Sequence, residues 1–286
     1  MPSQLLIDST RVELNRFQIA TVARLYHRQR IEKTHVERIT YHSDGLHVQG
    51  YCARPSEPGV YPLVIWNRGG WGERGSLDDL TAYLILASTA EWGYVVLATQ
   101  YRGVKGGEGT EDFGGEDVND AFNLLKLAEE IPEADTSRVA VEGASRGGIT
   151  TFRMLTMTDR FKCAMVHAPV TNLQAMCEVR EDFRTHIGRL FGHLSPAERE
   201  HEMDRRSVVH FADQLCPTTP ILIMHGTNDR SVPISQSEEL VARLTELGRP
   251  FSFERITGGG HVALKDGTYK QLDVLRKCWL TRHFSV

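Results

Sequence analysis

The chain has 286 residues, 41% of them hydrophobic and 24% charged, the composition of an ordinary globular protein with room for one large domain rather than two. Its 33 basic residues against 37 acidic ones leave a formal charge of −4, so nothing electrostatic points to a nucleic-acid or membrane partner. Five cysteines (Cys52, Cys163, Cys177, Cys216, Cys278) are scattered without a CxxC pair, which argues against both a disulfide framework and a zinc knuckle. The opening MPSQLLIDSTRVELNRFQ lacks the basic flank and unbroken apolar run of a secretory signal, and charges interrupt every later apolar stretch before membrane-spanning length. A cytoplasmic location is the expectation.

Residues 11–30 carry Val12, Leu14, Phe17, Ile19, Val22, Leu25 and Tyr26 at roughly the three-and-four spacing of an amphipathic helix, expected to pack on the main body. Residues 1–35 therefore read as an N-terminal helical extension. The following HVERITYHSDGLHVQGYCARP predicts two extended segments joined at Ser43-Asp44-Gly45, an antiparallel hairpin, because Asp-Gly tolerates the positive φ of a tight turn. From there short apolar strands, at 61–67, 93–100, 138–144, 163–168, 220–226 and 251–257, alternate with helical stretches at about 76–91, 115–131, 146–158, 234–247 and 265–283. Such alternation predicts an α/β domain over 36–286: a mostly parallel sheet of about eight strands flanked by helices, with ligands beyond the carboxyl ends of the strands. The stretch 171–215, polar, helix-prone and broken at Pro196, reads as a helical excursion near that edge.

Gly143-Ala144-Ser145-Arg146-Gly147 fits G-x-S-x-G between a β-branched strand and a helix-compatible segment. A sharp strand-to-helix turn there exposes a serine hydroxyl at the sheet edge, and the flanking glycines remove side chains that would collide with the neighbouring strand and helix. The N–H of Arg146, at the helix N-terminus, is a candidate oxyanion donor. A serine hydroxyl needs a base, and the base needs an acid to orient it. Two later strand ends supply them: HGTNDRSVP places Asp229 just past an apolar strand, and GGGH places His261 in a glycine-rich loop. Taken singly, Asp229 also reads as a turn-stabilising residue and His261 as surface decoration; the chain order Ser145, Asp229, His261 is that of an α/β-hydrolase fold. His225 reads as support for the acid loop, His167 as part of a buried strand, and His186, His193, His201 and His210 as members of the polar excursion.

With those motifs in place, the sequence resembles the catalytic domain of the prolyl oligopeptidase family of α/β-hydrolases over roughly residues 36–285. ERITYHSDGLHVQGYCARP is similar to that family's opening hairpin, QYRGVKGGEGTEDFGGEDVNDAFNLL to its Tyr-Arg-Gly loop, and GASRGG, HGTNDRSVP and GGGH to its nucleophile, acid and base motifs. The resemblance implies Ser145 as nucleophile, Asp229 as orienting acid and His261 as general base, with no metal or organic cofactor. The chain departs from the family where His-Gly-Gly-Pro is usual: here WNRGGWGERG puts Arg68 before Gly69-Gly70 and Trp71 after. Backbone N–H groups at Gly70 and Trp71 are the candidate second donors. Arg68 is open to two readings: a contact for a substrate carboxylate, or a surface arginine or one paired with the acidic 108–117 stretch.

Only about 35 residues precede the hairpin, too few for the β-propeller that the family's peptidases usually carry. On that ground the expectation is a stand-alone serine esterase working through an acyl-enzyme on a small-molecule ester, with short-peptide hydrolysis as the alternative and homo-oligomerisation left open. A phosphate-cradling loop in GVKGGEGTEDFGG is disfavoured because the stretch lacks a Walker motif and is acidic. A non-catalytic ligand-binding protein on a hydrolase scaffold is the reading from another class; retention of all three triad residue types argues against it.

Overall fold

In the computed structural model, which describes residues 4–284, one nine-stranded sheet runs the length of the molecule. Its strands are β1 (Leu6–Arg11), β2 (Thr34–Ser43), β3 (Leu46–Pro55), β4 (Tyr61–Asn67), β5 (Val95–Thr99), β6 (Ala134–Ala144), β7 (Phe161–His167), β8 (Ile221–Gly226) and β9 (Phe251–Ile256). The helices are α1 (Arg16–Leu25), α2 (Gln29–Lys33), α3 (Asp79–Glu91), α4 (Val118–Leu127), α5 (Arg146–Met157), α6 (Leu173–Val179), α7 (Glu181–Phe191), α8 (Pro196–Asp204), α9 (Val208–Phe211), α10 (Ser235–Glu246), α11 (Ala263–Asp266) and α12 (Tyr269–Phe284). None of them is long and apolar enough to cross a membrane.

The spatial order is β1-β2-β3-β5-β4-β6-β7-β8-β9. The first three strands pair antiparallel, β3 also pairs antiparallel with β5, and the remaining pairs from β5 to β9 are parallel. From β4 the chain crosses outward to β5, then returns past β4 to β6. The order therefore reverses at the carboxyl ends of β4 and β6, which opens a crevice there. Asn67 leads out of β4 and Ser145 out of β6 at this point.

Alternation along the central strands builds two cores. Leu63 and Ile65 of β4, with Val139 and Val141 of β6, bury against α4, α5, α9 and α10. Val64 and Trp66, with Ala140, face the opposite way, against α1, α3 and α12. A third cluster, Phe113, Ile149, Val170, Leu173, Met176, Phe183, Ile187, Phe191 and Val232, seats the 171–215 excursion over the sheet edge.

The structure differs from the sequence reading at the N-terminus and in strand number. Leu6–Arg11 is extended and adds a ninth strand at the edge by pairing with β2. The expected helix over 11–30 is two helices, and the first begins only at Arg16. Asn15 stops it from starting earlier: its Oδ1 accepts from the Phe17 and Gln18 N–H groups, while Gln18 Oε1 accepts from the Asn15 N–H. At the hairpin, Asp44 and Gly45 both take positive φ, 51° and 82°, as the tight turn requires.

The glycines of the β6–α5 turn are set by packing. A Cβ on Gly143 would lie 2.2 Å from the Gly147 carbonyl oxygen, and one on Gly147 would lie 2.0 Å from the Asn67 carbonyl oxygen. Gly188, within α7, has open space at the same position. Gly143→Ala is therefore expected to lower the melting temperature by roughly 5–10 °C, given that backbone clashes cost on the order of 2–4 kcal/mol. Gly188→Ala, by contrast, should leave it unchanged or raise it slightly, because alanine is the better helix former. Thermal melts followed by circular dichroism check both, and equal behaviour of the two variants would contradict this account.

Candidate active site

Ser145 sits at the apex of the β6–α5 turn with φ 56° and ψ −121°, a conformation that non-glycine residues rarely adopt. Flanking hydrogen bonds hold it there. The Ser145 N–H donates to the His167 carbonyl at 2.9 Å, and the N–H groups of Gly148 and Val170 donate to the Ser145 carbonyl at 2.9 and 3.2 Å. The hydroxyl itself has no hydrogen-bond partner among the described residues and opens into a cavity of about 620 Å³ at the sheet's carboxyl edge.

Asp229 and His261 meet beside that cavity. His261 Nδ1 lies 2.7 Å from Asp229 Oδ2, and the Asp229 side chain is shielded from solvent, whereas His261 remains 22% exposed and lines the cavity with Ser145. A carboxylate can only accept, so Nδ1 carries the proton and Nε2 is left as the acceptor. The other carboxylate oxygen, Oδ1, accepts from the Ser231 and Val232 N–H groups at 2.8 and 2.9 Å. Burial pushes the Asp229 carboxyl upward, but contacts from His225 and His261 and the Val232 amide outweigh it and hold the carboxyl far below the ordinary carboxylate range.

The two loops carrying this pair are tied to each other. The Asn228 N–H donates to the Gly259 carbonyl at 2.8 Å, the Thr227 N–H to Ile256 at 3.0 Å, and Thr227 Oγ1 accepts from the Gly258 N–H at 2.9 Å. A side chain at Gly226 would strike the Gly259 oxygen, at 2.2 Å from its Cβ, so the approach depends on glycine. His225 braces the acid loop: Nε2 donates to the Val232 carbonyl at 2.9 Å, which leaves Nδ1 to accept from Ser237 Oγ at 2.7 Å. Its Nε2 is also 3.6 Å from Asp229 Oδ2, a contact longer than a hydrogen bond.

Beside Ser145 lies the loop after β4. A Cβ on Gly69 would come within 3.0 Å of the Ser145 Cβ, so glycine there permits the close approach, and Gly70 takes φ 75°. The N–H groups of Arg146 and Gly70 donate to no other group among the described residues. Trp71 bridges to Arg74 across the tight turn that follows, and its indole lines the cavity, stacked on His186 at 4.5 Å between ring centroids.

Of the two readings of Arg68, the structure shows pairing with the acidic stretch. The residue is fully buried, so the contact with a substrate carboxylate is withdrawn. Its Nε donates to the Gln100 carbonyl at 3.0 Å, Nη1 to the Gly69 carbonyl at 3.0 Å, and Nη2 to the Gly72 carbonyl at 3.0 Å and to Glu111 Oε1 at 3.2 Å. Every nitrogen of the guanidinium is engaged, partly within the loop after β4 and partly by the segment after β5.

Glu111 joins this loop to the nucleophile helix. Its Oε1 also accepts from Arg146 Nη1 at 2.7 Å, and its Oε2 accepts from the Gly72 N–H at 2.6 Å. Arg146, 1% exposed, reaches on to Asp117 at 2.5 Å and lies 3.9 Å over the Tyr101 ring. Two buried guanidiniums thus face two carboxylates. Burial alone would lower the Arg146 pKa, but Asp117 and Glu111 more than offset it and raise it; burial and the Arg146 charge hold that of Arg68 below its ordinary value.

Sequence reasoning missed several of these residues. Glu111 and Asp117 were legible only as acidity in a glycine-rich loop. His167 ends β7 and lines the cavity, so its position at a strand's carboxyl edge was the available signal. His186, assigned to the polar excursion, is packed behind Trp71 and Phe113, with burial foremost and Arg146 next pushing its pKa down to about 4.

Comparisons with known proteins identify relatives of this chain. The model of the prolyl oligopeptidase family matches residues 81–286. The uncharacterized peptidase YtmA of Bacillus subtilis is 34% identical over 74% of this chain and 80% of its own length; a second B. subtilis peptidase, YuxL, is 29% identical over 82% of this chain but 36% of its own. Among solved structures, a puromycin-hydrolyzing peptidase of Mycobacterium tuberculosis superposes with a TM-score of 0.71 at 27% identity, over 87% of this chain and 39% of that one.

Two expectations follow from the geometry. Glu111→Ala strands two buried guanidiniums, a change that costs roughly 3–5 kcal/mol, so the melting temperature should fall by about 10 °C and catalytic efficiency by at least about tenfold. Glu108→Ala, on the exposed part of the same loop, should leave both nearly unchanged; parity of the two variants in melts and kinetics would refute the bridging role. For Asp229, a folded-state pKa below the unfolded value of about 3.9 means its charge contributes stability above that pH and loses it as pH falls further. The stability gap between the protein and Asp229→Asn, measured by urea unfolding, should therefore narrow from pH 5 to pH 3. A constant gap would show that the charge is not linked to folding.

Proposed function

The chain belongs to the prolyl oligopeptidase family and is a serine hydrolase, and from that premise we propose that it is a peptidase of short peptides and aminoacyl amides. The observation that carries the reading is the Asp229–His261 pair, 2.7 Å apart, opening onto the same cavity as Ser145. The proposed chemistry follows from it. His261 Nε2 takes the Ser145 proton as the hydroxyl oxygen attacks the amide carbonyl, Asp229 stabilises the resulting imidazolium, and the N–H groups of Arg146 and Gly70 hold the oxyanion. His261 then returns the proton to the leaving nitrogen, and a second round with water releases the acid.

The preference for peptides over the simple esters expected from the sequence rests on the relatives, which carry peptidase names, and on the cavity. Its volume, about 620 Å³, suits a ligand of a few residues rather than a folded protein. Phe113, Val170, Phe183, Val232 and the Trp71 indole make an apolar wall beside Ser145, which fits an apolar acyl side chain.

The test compares the purified protein with Ser145→Ala on aminoacyl and N-acylated anilides, dipeptide amides and acyl esters. Anilides and amides with apolar acyl residues should be cleaved, and the substitution should lower turnover by about three orders of magnitude or more. Cleavage of esters alone would return the reading to an esterase, and no serine-dependent turnover on any substrate would favour a binding role.

A further inference from the structure

The cavity at Ser145 continues past His261 into a second lobe that the chemistry above does not use. Alternation along β6 turns Ala140, Glu142 and Ala144 toward the α3 and α12 face, and the register pairs Ala144 with His167 of β7. The lobe is closed by α3, α12, Tyr26 of the N-terminal segment and the residues Val262–Lys265 that directly follow His261. Glu142, three residues before Ser145 on one strand, lies about 10 Å from it along the chain.

Charge in this lobe is unevenly matched. Arg276 saturates Glu142, with Nε donating to Oε1 at 2.6 Å and Nη2 to Oε2 at 2.9 Å, and Nη2 also donates to Thr89 Oγ1 at 2.7 Å. Asp273 receives one bond, to Oδ1 from Arg276 Nη1 at 2.8 Å, while its Oδ2 has no partner among the described residues. Near the lobe three carboxylates, Glu91, Glu142 and Asp273, face two guanidiniums, Arg30 and Arg276, and the His27 ring, 3.1 Å from Glu91. Lys265 lines the rim, where neighbouring Asp266 accepts from the Gly260 and Thr268 N–H groups. The side chain of His167 has no hydrogen-bond partner among the described residues and faces the lobe.

We propose that this inner lobe is the subsite for a basic side chain, of the lysine or arginine type, on the leaving-group side of the scissile bond, with Asp273 as its counter-ion. The assignment to the leaving-group side rests on the peptidase reading: the base that returns a proton to the leaving nitrogen must lie beside that group, and the lobe begins at His261. Leu84, Ile85 and Leu272 line the path for a methylene stem, and the unpaired Oδ2 of Asp273 meets the charged end. Titration behaviour agrees with this arrangement. Burial holds the Asp273 carboxyl above its ordinary range despite Arg276 and Arg30. Burial, with His261 and His225 adding to it, pushes His167 down to about 3, so it meets a ligand as a neutral acceptor rather than as a competing charge.

The test uses two dipeptide amides, phenylalanine followed by lysine and phenylalanine followed by norleucine, which differ only in the terminal ammonium. With the native protein, kcat/KM for the lysine substrate should exceed that for norleucine by at least about tenfold, and Asp273→Asn should remove the difference. Calorimetry of the uncleaved peptides on Ser145→Ala, with and without Asp273→Asn, measures the same preference as binding. Serine-dependent cleavage with no lysine preference in either assay overturns the subsite and leaves the peptidase reading standing. Lysine-selective binding without any cleavage keeps the subsite as a cation site and overturns its leaving-group role together with that reading. A preference that survives Asp273→Asn overturns the role of Asp273. Should that variant not fold, the lysine-to-norleucine comparison on the native chain decides.

Discussion

Much of the site depends on one buried carboxylate. Glu111 accepts from Arg68, from Arg146 and from the Gly72 N–H at once, and so fixes the loop after β4 against the first turn of α5. Those two segments carry the free N–H groups of Gly70 and Arg146. An oxyanion site works only if its donors are aimed before charge develops, because reorganising them during the reaction would consume the stabilisation they provide. Taken as an ion cluster, the assembly is an expensive way to stabilise a fold, since desolvating four charges offsets most of their mutual attraction. It makes physical sense as a device for position: two positive and two negative groups out of water have few low-energy arrangements other than the one observed.

The same logic governs the other half of the site. Asp229 and His261 come from loops after different strands, and neither loop has a regular structure of its own. They are locked by backbone bonds between Thr227-Asn228 and the 256–259 segment, and by the His225 ring beneath. Ser145 is held in a positive-φ conformation by bonds to β7. Strain at the nucleophile and three N–H or ring contacts at the acid are thus both supported by the sheet, whose twist and register fix the strand ends relative to one another.

What was legible in the sequence divides along these lines. Strand and helix positions from residue 36 onward could be read because apolar runs and amphipathic stretches alternate cleanly, and the places of Ser145, Asp229 and His261 because each stands just past a strand in a glycine-marked turn. Leu6–Arg11 was not legible as a strand. It is an edge strand with five of its six residues exposed, so its hydrophobic pattern is weak, and its neighbour's helical periodicity ran over it. The Asn15 and Gln18 capping pair was the overlooked boundary. Arg68 was ambiguous for a different reason: a lone arginine in a glycine-rich loop looks the same in sequence whether it faces solvent or a buried glutamate 43 residues away. Ion pairing at that separation leaves no periodic trace.

The two ends of the cavity are built from parts of the chain with unlike constraints. Beside Ser145 on one face, the 171–215 excursion supplies Phe183 and Arg180 to the wall; on the other face, Tyr26 from the N-terminal segment closes the lobe that contains Glu142 and Arg276. Both covers lie outside the repeating strand–helix units that position the triad. Substitutions in them can reshape what the cavity accepts without moving Ser145, Asp229 or His261, whose placement rests on β6, β8 and β9. Glu142 is the exception, because it belongs to β6 itself and its buried pairing with Arg276 links α12 to the strand that carries the nucleophile. Charge at the inner end of the cavity is therefore tied to the framework, whereas Phe183 and Arg180 at the outer end are not.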